Sequence, residues 1–401
     1  MKKETITGKI RNEKLNKSVF GGHETVRVAA VQAPQIVFNK EKSIEVACKR
    51  IKEAGANGAK LVAFSETYIP VFPAYYKAGY ASQIDEWAEW NIALQNNSVA
   101  IPSEDTEIIG KACREAGVYC VMGVNEIDDT DGARTLYNCQ ILFGPDGSIL
   151  GRHRKLMPTY TERTYWGRGD GSDLNVYQTD IARIGSLICW EHHTILVRAA
   201  QMLMGEEFHI ANWPGTWTFG QKTNNGERKG RIFHSTTEPG DPCDLQFAIR
   251  EYAFESGSFV ISVAGLLREQ DFEPEHKHFI DSPEMDFSWA VGGAAIVNPF
   301  GEYIAGPVYH DDTIVYADCH ANEIKAAKVV FDGLGHYSRP DSVQILLHDH
   351  EQKNLLRSSK GLSYQDLKNI SESTEVPLEK LEKVLEKIES RLSKPKTEIT
   401  I

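Results

Sequence analysis

Short, almost continuous apolar runs alternate along the chain with amphipathic stretches of helical period. The runs at 26–33, 59–66, 118–126, 183–190, 208–213, 258–265 and 312–319 are rich in Val, Ile and Phe and are bounded by Gly, Pro or acidic residues. Such runs read as strands covered on both faces. Between some of them lie helical stripes: Ile44, Ala47, Cys48, Ile51 and Ala54 mark one, and Ile108, Ile109, Ala112 and Cys113 mark another. Two segments carry hairpin turn chemistry, at Pro145-Asp146-Gly147 and at Asn298-Pro299-Phe300-Gly301. A mixed sheet with helices on one or both faces follows.

From about residue 344 the pattern changes to a charged, mostly helical tail. Its apolar stripe is Leu378, Leu381, Val384, Leu385, Ile388 and Leu392, and Pro377 sits where a first helical turn tolerates it. A lone helix of this length is marginal in water, so the stripe is expected to dock on its own body or on a neighbouring subunit. The segment 215–242 is long, polar and glycine-rich. Connections of that length are usually functional or disordered, so it is expected at a pocket rim, at a subunit contact or as a surface loop.

Composition narrows the function classes. The 401 residues carry a net charge of −12, which leaves no broad basic surface to neutralise phosphates and argues against a nucleic-acid partner. The lysine-led N-terminus develops no apolar stretch, and no run approaches the roughly 18 apolar residues of a membrane helix. The seven cysteines are an odd set without CxxC spacing, so reduced thiols in a cytoplasmic protein are expected.

Three apolar strands end on an ionisable side chain: Glu66, Lys155 and Cys189. Strand ends face the crevice above a sheet, where open α/β folds bind their ligands. Together the three make a nucleophile, a base to deprotonate it and a cation to hold developing negative charge. Each also has a plainer reading, the cysteine as a small core hydrophobe and the two charges as a solvated rim. A metal on Cys189, Glu191, His192 and His193 is not expected, because consecutive residues point in diverging directions.

The stretches "FSETYIPVFPAYY", "HRKLMPTYTERTYWGRGDG", "LICWEH", "GGAAIVNPFGEYIAGP" and "DGLGHYSRPD" occur in an order and spacing that resembles the nitrilase branch of the carbon–nitrogen hydrolases. The resemblance implies an α/β fold, a four-layer α-β-β-α sandwich over residues 25–343. It leaves residues 1–24 as an N-terminal extension and 344–401 as a helical tail. It also implies pairing through the sheets' outer helices into a homo-oligomer: a dimer, a larger assembly or a spiral.

The implied active site is Glu66, Lys155 and Cys189, with the family's second glutamate falling on Glu162. In this reading Glu66 takes the thiol proton and returns it to the departing nitrogen. Lys155 and the backbone N–H of Trp190 stabilise negative charge on the attacked substrate. Lys155 also lowers the cysteine pKa. Glu162 holds Lys155 and helps position water. Trp190, Tyr68, Trp213 and His193 are candidates to line the substrate pocket, with core packing the alternative for the aromatics. The substrates are a small nitrile or amide and water, with no metal or organic cofactor.

Departures from the family pattern leave the particular nitrile open. His192 stands where many members have Asn, and Ile195 where they have Pro. Two rivals remain. The same residues could cleave an amide, or hydrate a nitrile and stop at the amide. A filament-forming scaffold could keep the fold without the chemistry, although it has no need of all four ionisable residues.

Overall fold

The computed structural model describes residues 18–77, 84–128, 132–216, 218–222, 228–234, 243–349, 368, 370–372 and 376–392. They fall into two units, a body that carries every strand and a separate C-terminal unit.

In the body the apolar runs become strands of two six-stranded sheets, inner strands except for the run at 312–319, which forms a partly exposed edge. The first contains β1 (Thr25–Gln32), β2 (Leu61–Ala63), β3 (Tyr119–Asp128), β4 (Thr135–Phe143), β5 (Ile149–Arg154) and β14 (Thr313–His320), in the order β14-β1-β2-β3-β4-β5. The second contains β6 (Val176–Gln178), β7 (Arg183–Ile188), β8 (Phe208–Trp213), β11 (Phe259–Ala264), β12 (Gly292–Val297) and β13 (Tyr303–Tyr309), in the order β13-β12-β11-β8-β7-β6. The middle strands of each sheet run parallel, β1 with β2 and β3, and β7 with β8 and β11. Antiparallel strands flank them, as the two turn signals required: β4 returns as β5, and β12 as β13. The side chain of Asn298 closes the second turn by accepting from the amides of Phe300 and Glu302, both at 3.0 Å.

The sheets pack face to face. Val28, Ala30, Leu61, Ala63 and Val121 of the first sheet meet Ile184, Phe208, Ile210, Ile261 and Ile296 of the second in one buried cluster. Phe20 closes an end of this layer by stacking on Phe208, with ring centroids 4.7 Å apart. Helices cover the two outer faces. Against the first sheet lie α1 (Lys40–Ala56) and α3 (Glu104–Ala116), which bury Ile44, Ala47, Ile51, Ile109, Ala112 and Cys113. Ile108, placed in that stripe from its spacing, turns outward instead and is 46% exposed. Against the second sheet lie α4 (Ile195–Leu203) and α5 (Asp244–Ser256). Two further helices, α2 (Ile84–Asn96) and α6 (Ala321–Val330), complete the body. The architecture is the α-β-β-α sandwich.

Part of the 215–242 connection is a hairpin, β9 (Thr218–Lys222) against β10 (Arg228–His234). In the C-terminal unit the charged tail forms α7 (Leu378–Leu392) as its stripe required. Among the described residues no helix is long and apolar enough to cross a membrane.

Candidate active site

Three of the four chemical residues lie just beyond strand ends, and the sandwich brings them together from both sheets. Glu66 follows β2, Lys155 follows β5 and Cys189 follows β7. Glu162 sits in the short 3-10 turn Tyr160–Thr164, where the Thr159 amide donates to its Oε2 at 2.6 Å. All four are at most 2% exposed. Lys155 Nζ donates to Glu66 Oε1 at 2.8 Å and to Glu162 Oε1 and Oε2 at 3.1 and 2.8 Å. Asn138, on β4, donates a further bond to Glu66 Oε1 at 2.5 Å. A carboxylate oxygen of Glu66, one of Glu162 and the Cys189 sulfur all lie within 4.8 Å of one another. Glu66 Oε2 has no hydrogen-bond partner among the described residues, which leaves it to take a proton.

Polar ties across the inter-sheet layer set this register. Gln140 of β4 donates to the Leu187 carbonyl on β7 at 3.1 Å and bonds Asn212 of β8, whose amide reaches back to the Phe64 carbonyl after β2. Behind Glu66, Gly123 of β3 lies against the loop Ser65–Thr67 so closely that a Cβ there meets the Ser65 carbonyl oxygen at 2.1 Å.

The nucleophile sits on a strained turn. Cys189 has φ +51°, a left-handed conformation unfavourable for a residue with a Cβ, and surrounding bonds must hold it. Glu191 supplies one set. Its Oε2 accepts from the Ile188 amide and contacts His153 Nε2, both at 2.8 Å, and its Oε1 accepts from the Leu156 amide at 2.8 Å. One buried carboxylate therefore ties the residue before Cys189 to the residue after Lys155.

Burial of three charges with one thiol governs the electrostatics. Burial pushes the Glu66 carboxyl up, with Lys155 opposing and Glu162 adding, to about 7. Glu162 is also raised by burial, against Lys155. Burial works against the Lys155 charge, yet the Glu162 and Glu66 carboxylates outweigh it and hold the ammonium well above its ordinary value. At Cys189 the Lys155 ammonium lowers the pKa as expected, but it is not the largest influence. Burial and the Glu66 charge raise its pKa well above normal, and Lys155 only reduces that rise. The resting group is the thiol, so a base must remove its proton at the moment of attack.

Glu66, Glu162 and Cys189 also form a donor set of the kind that holds a metal ion. The Lys155 ammonium, bonded to both carboxylates, already fills the cationic position between them. Glu191, His192 and His193 diverge as their consecutive positions required. Glu191 turns to His153, His192 to the Cys189 carbonyl, and His193 toward Asp244 at 3.9 Å.

A cleft of about 400 Å³ adjoins the site, lined among others by Leu156, Met157, Thr159, Tyr160, Trp190 and His193. Of the four residues expected to line the pocket, the structure brings Trp190 and His193 to this cleft. Tyr68 packs against Phe64 in the helix-side core of the first sheet, the core-packing alternative given for it. Trp213 is fully buried behind the nucleophile and stacks on His192. Asp244, which accepts from Trp190 Nε1 at 2.9 Å, was not foreseen. Asn138, His153 and the structural role of Glu191 were missed too. Asn138 and His153 are polar residues inside strand patterns, and a buried polar side chain on an apolar strand was the available signal.

Comparisons with known proteins bear on the family and the fold. The family model described as Carbon-nitrogen hydrolase matches residues 27–329. Over 355 residues the chain is 31% identical to Nitrilase 2 of Arabidopsis thaliana, covering 86% of this chain and 95% of that one. It is 34% identical over 326 residues to an aliphatic nitrilase of Rhodococcus rhodochrous, covering 80% and 82%. The crystal structure of a carbon–nitrogen hydrolase from Helicobacter pylori G27 shares the fold with a TM-score of 0.57 and 18% identity, covering 80% of this chain and 97% of that one.

The tight seat of the Glu66 loop is open to test. In Gly123→Ala the new methyl pushes Ser65 and Thr67 away and shifts Glu66 from Lys155. Turnover is expected to fall about a hundredfold, the usual cost of an ångström-scale misplacement, while the far-ultraviolet circular dichroism stays unchanged. Wild-type turnover in this variant would mean that the loop does not position a working residue.

Proposed function

Since the chain belongs to the nitrilase branch of the carbon–nitrogen hydrolase family, we propose that it converts a small organic nitrile to the carboxylate and ammonia through a thioester on Cys189. The observation that carries this reading is the buried Lys155 ammonium bridging Glu66 and Glu162 beside the Cys189 thiol. Glu66 removes the thiol proton as sulfur attacks the nitrile carbon, and the nitrile nitrogen receives that proton, giving a thioimidate. Water, deprotonated by Glu66, adds to the same carbon. Glu66 returns that proton to nitrogen, the new hydroxyl gives its own proton to the same nitrogen as the C–N bond breaks, and ammonia leaves a thioester. A second water then displaces the thiol, so that one nitrile and two waters give one acid and one ammonia.

Lys155 and the Trp190 N–H stabilise the negative charge that develops on the attacked substrate, and Glu162 anchors Lys155. Trp190 and His193, at the cleft, contact the rest of the substrate. No metal or organic cofactor takes part in this scheme.

The same reading extends to assembly and compartment. Ile195 and Leu196 on α4, and Phe247 and Phe254 on α5, are exposed although apolar, with Leu196 at 69% and Phe247 at 50%. Two adjacent helices presenting such a face support pairing of two copies through it, in a dimer or larger homo-oligomer. All seven cysteines are free thiols, which supports a reducing, cytoplasmic setting.

The chemistry is tested by ammonia release over a panel of propionitrile, benzonitrile, cyanide and the matching amides. Cys189→Ala is expected to abolish turnover, and Glu66→Gln to slow it by at least about a hundredfold, the size of a general-base contribution. Glu66 works in its ionised form, which exists above its raised pKa of about 7. kcat/KM should therefore fall as the pH drops through about 7, with a slope of one proton. A flat profile down to pH 5, or ammonia release by Cys189→Ala, contradicts the mechanism.

The assembly is tested separately. Leu196→Glu with Phe247→Glu places charge on the exposed helical face and is expected to reduce the particle mass in light scattering. An unchanged mass contradicts pairing through α4 and α5.

A further inference from the structure

A chain of buried polar side chains runs away from the nucleophile, separate from the Glu66–Lys155–Glu162 group. His192 Nδ1 lies 2.7 Å from the Cys189 carbonyl oxygen. His192 Nε2 lies 2.9 Å from His209 Nε2, and His209 Nδ1 lies 2.9 Å from Glu206 Oε2. Tyr252 donates to Glu206 Oε1 at 2.5 Å. His192, His209 and Tyr252 are fully buried and Glu206 is 5% exposed. Trp213 stacks on His192 and Tyr252 stacks on His209. None of these residues has a part in the chemistry described above.

The contacts fix where the protons lie. A carbonyl oxygen only accepts, so His192 carries its proton on Nδ1. Burial and the neighbouring His209 hold the His192 pKa well below the ordinary imidazole value, so this ring is neutral and its Nε2 is a bare acceptor. The 2.9 Å contact then requires the proton between the rings to belong to His209. The Nε2 proton of His209 and the Nδ1 proton of His192 are thus both directed toward the Cys189 carbonyl.

That carbonyl belongs to the same peptide unit as the Trp190 N–H. The unit is trans, because the cis bonds of the chain are elsewhere. In a planar trans peptide the C=O and N–H point in opposite directions, so an atom that pins the oxygen also sets the direction of the N–H. A hydrogen bond to the oxygen further polarises the N–H and strengthens it as a donor. We propose that His192, backed by His209 and Glu206, is a positioning residue that orients and polarises the Trp190 N–H toward the negative charge developing on the substrate. The proposal depends on Cys189 being the nucleophile, as set out above. It adds a second, neutral source of charge stabilisation beside the Lys155 ammonium.

Alkylation separates this role from a general loosening of the nucleophile. Iodoacetamide reacts at the thiol by direct displacement and develops no negative charge on an atom facing the Trp190 N–H. Nitrile turnover does develop such charge. In His192→Phe, which keeps a ring against Trp213 but cannot donate, kcat on the best nitrile of the panel is expected to fall at least about tenfold. KM and the alkylation rate of Cys189 should remain within about twofold of wild type. His192→Asn, whose amide can still reach the carbonyl, should recover most of the lost kcat. If His192→Phe does not fold, His209→Phe removes the next link and should give the same split between kcat and alkylation. Unchanged kcat in the folded variant, or alkylation slowing in step with kcat, overturns the proposal. Turnover surviving in Cys189→Ala would instead overturn the assignment of the site itself.

Discussion

Everything at this site depends on keeping one ammonium and two carboxylates out of water. Removing one partner from such a group leaves an uncompensated buried charge, at a cost of about 3–5 kcal/mol. The sandwich meets this constraint by closing the Lys155 ammonium between Glu66 and Glu162, with Asn138 and the Thr159 amide taking further carboxylate lone pairs. The same enclosure raises Glu66 to about 7, which puts a base near neutrality next to a thiol that burial keeps protonated. A solvated rim would give ordinary carboxylates and a weak base. Deep burial with full pairing turns common side chains into a reactive set.

The second constraint is the geometry of the nucleophile. Cys189 turns sharply out of β7 in a backbone conformation that only its surroundings can maintain. Glu191 holds the amide before it, and His192 holds its own carbonyl. Both clamps come from residues two and three positions later in the same 3-10 turn, so the strain is met locally. Glu191 reaches further, to His153 and the Leu156 amide across the sheet interface. The nucleophile and the ammonium are therefore positioned by a shared carboxylate as well as by the layers that carry them.

Much of this was legible in the sequence, for physical reasons that apply residue by residue. Strands buried on both faces must be apolar throughout, so an ionisable residue that ends such a run stands out, as Glu66 and Cys189 do; Lys155 follows an edge strand of mixed polarity and was marked by its hairpin instead. Turn chemistry made the two hairpins readable before their pairing was known. Asn138, His153 and His209 escaped because their meaning lies in contacts made across the fold. Each is one polar position within a strand, and its partner is distant or on another element. The net rise of the Cys189 pKa, against the lowering by Lys155, escaped for a related reason. The nearby ammonium was visible as a neighbour in the motif pattern, whereas the depth of burial that outweighs it comes only from two layers closing over the site. Tyr68 lies in the helix-side core of the first sheet, the core-packing alternative given for it.

The claim that the chemistry depends on the buried Lys155 ammonium is tested most directly by turnover of Lys155→Met, which keeps the length and apolar stem of the side chain and removes only the charge. Ammonia release from the best nitrile substrate should fall by at least about a hundredfold, in a protein that still unfolds cooperatively. Near-wild-type kcat in the folded variant would contradict the account, because two buried carboxyl groups and a thiol would then suffice without the cation between them.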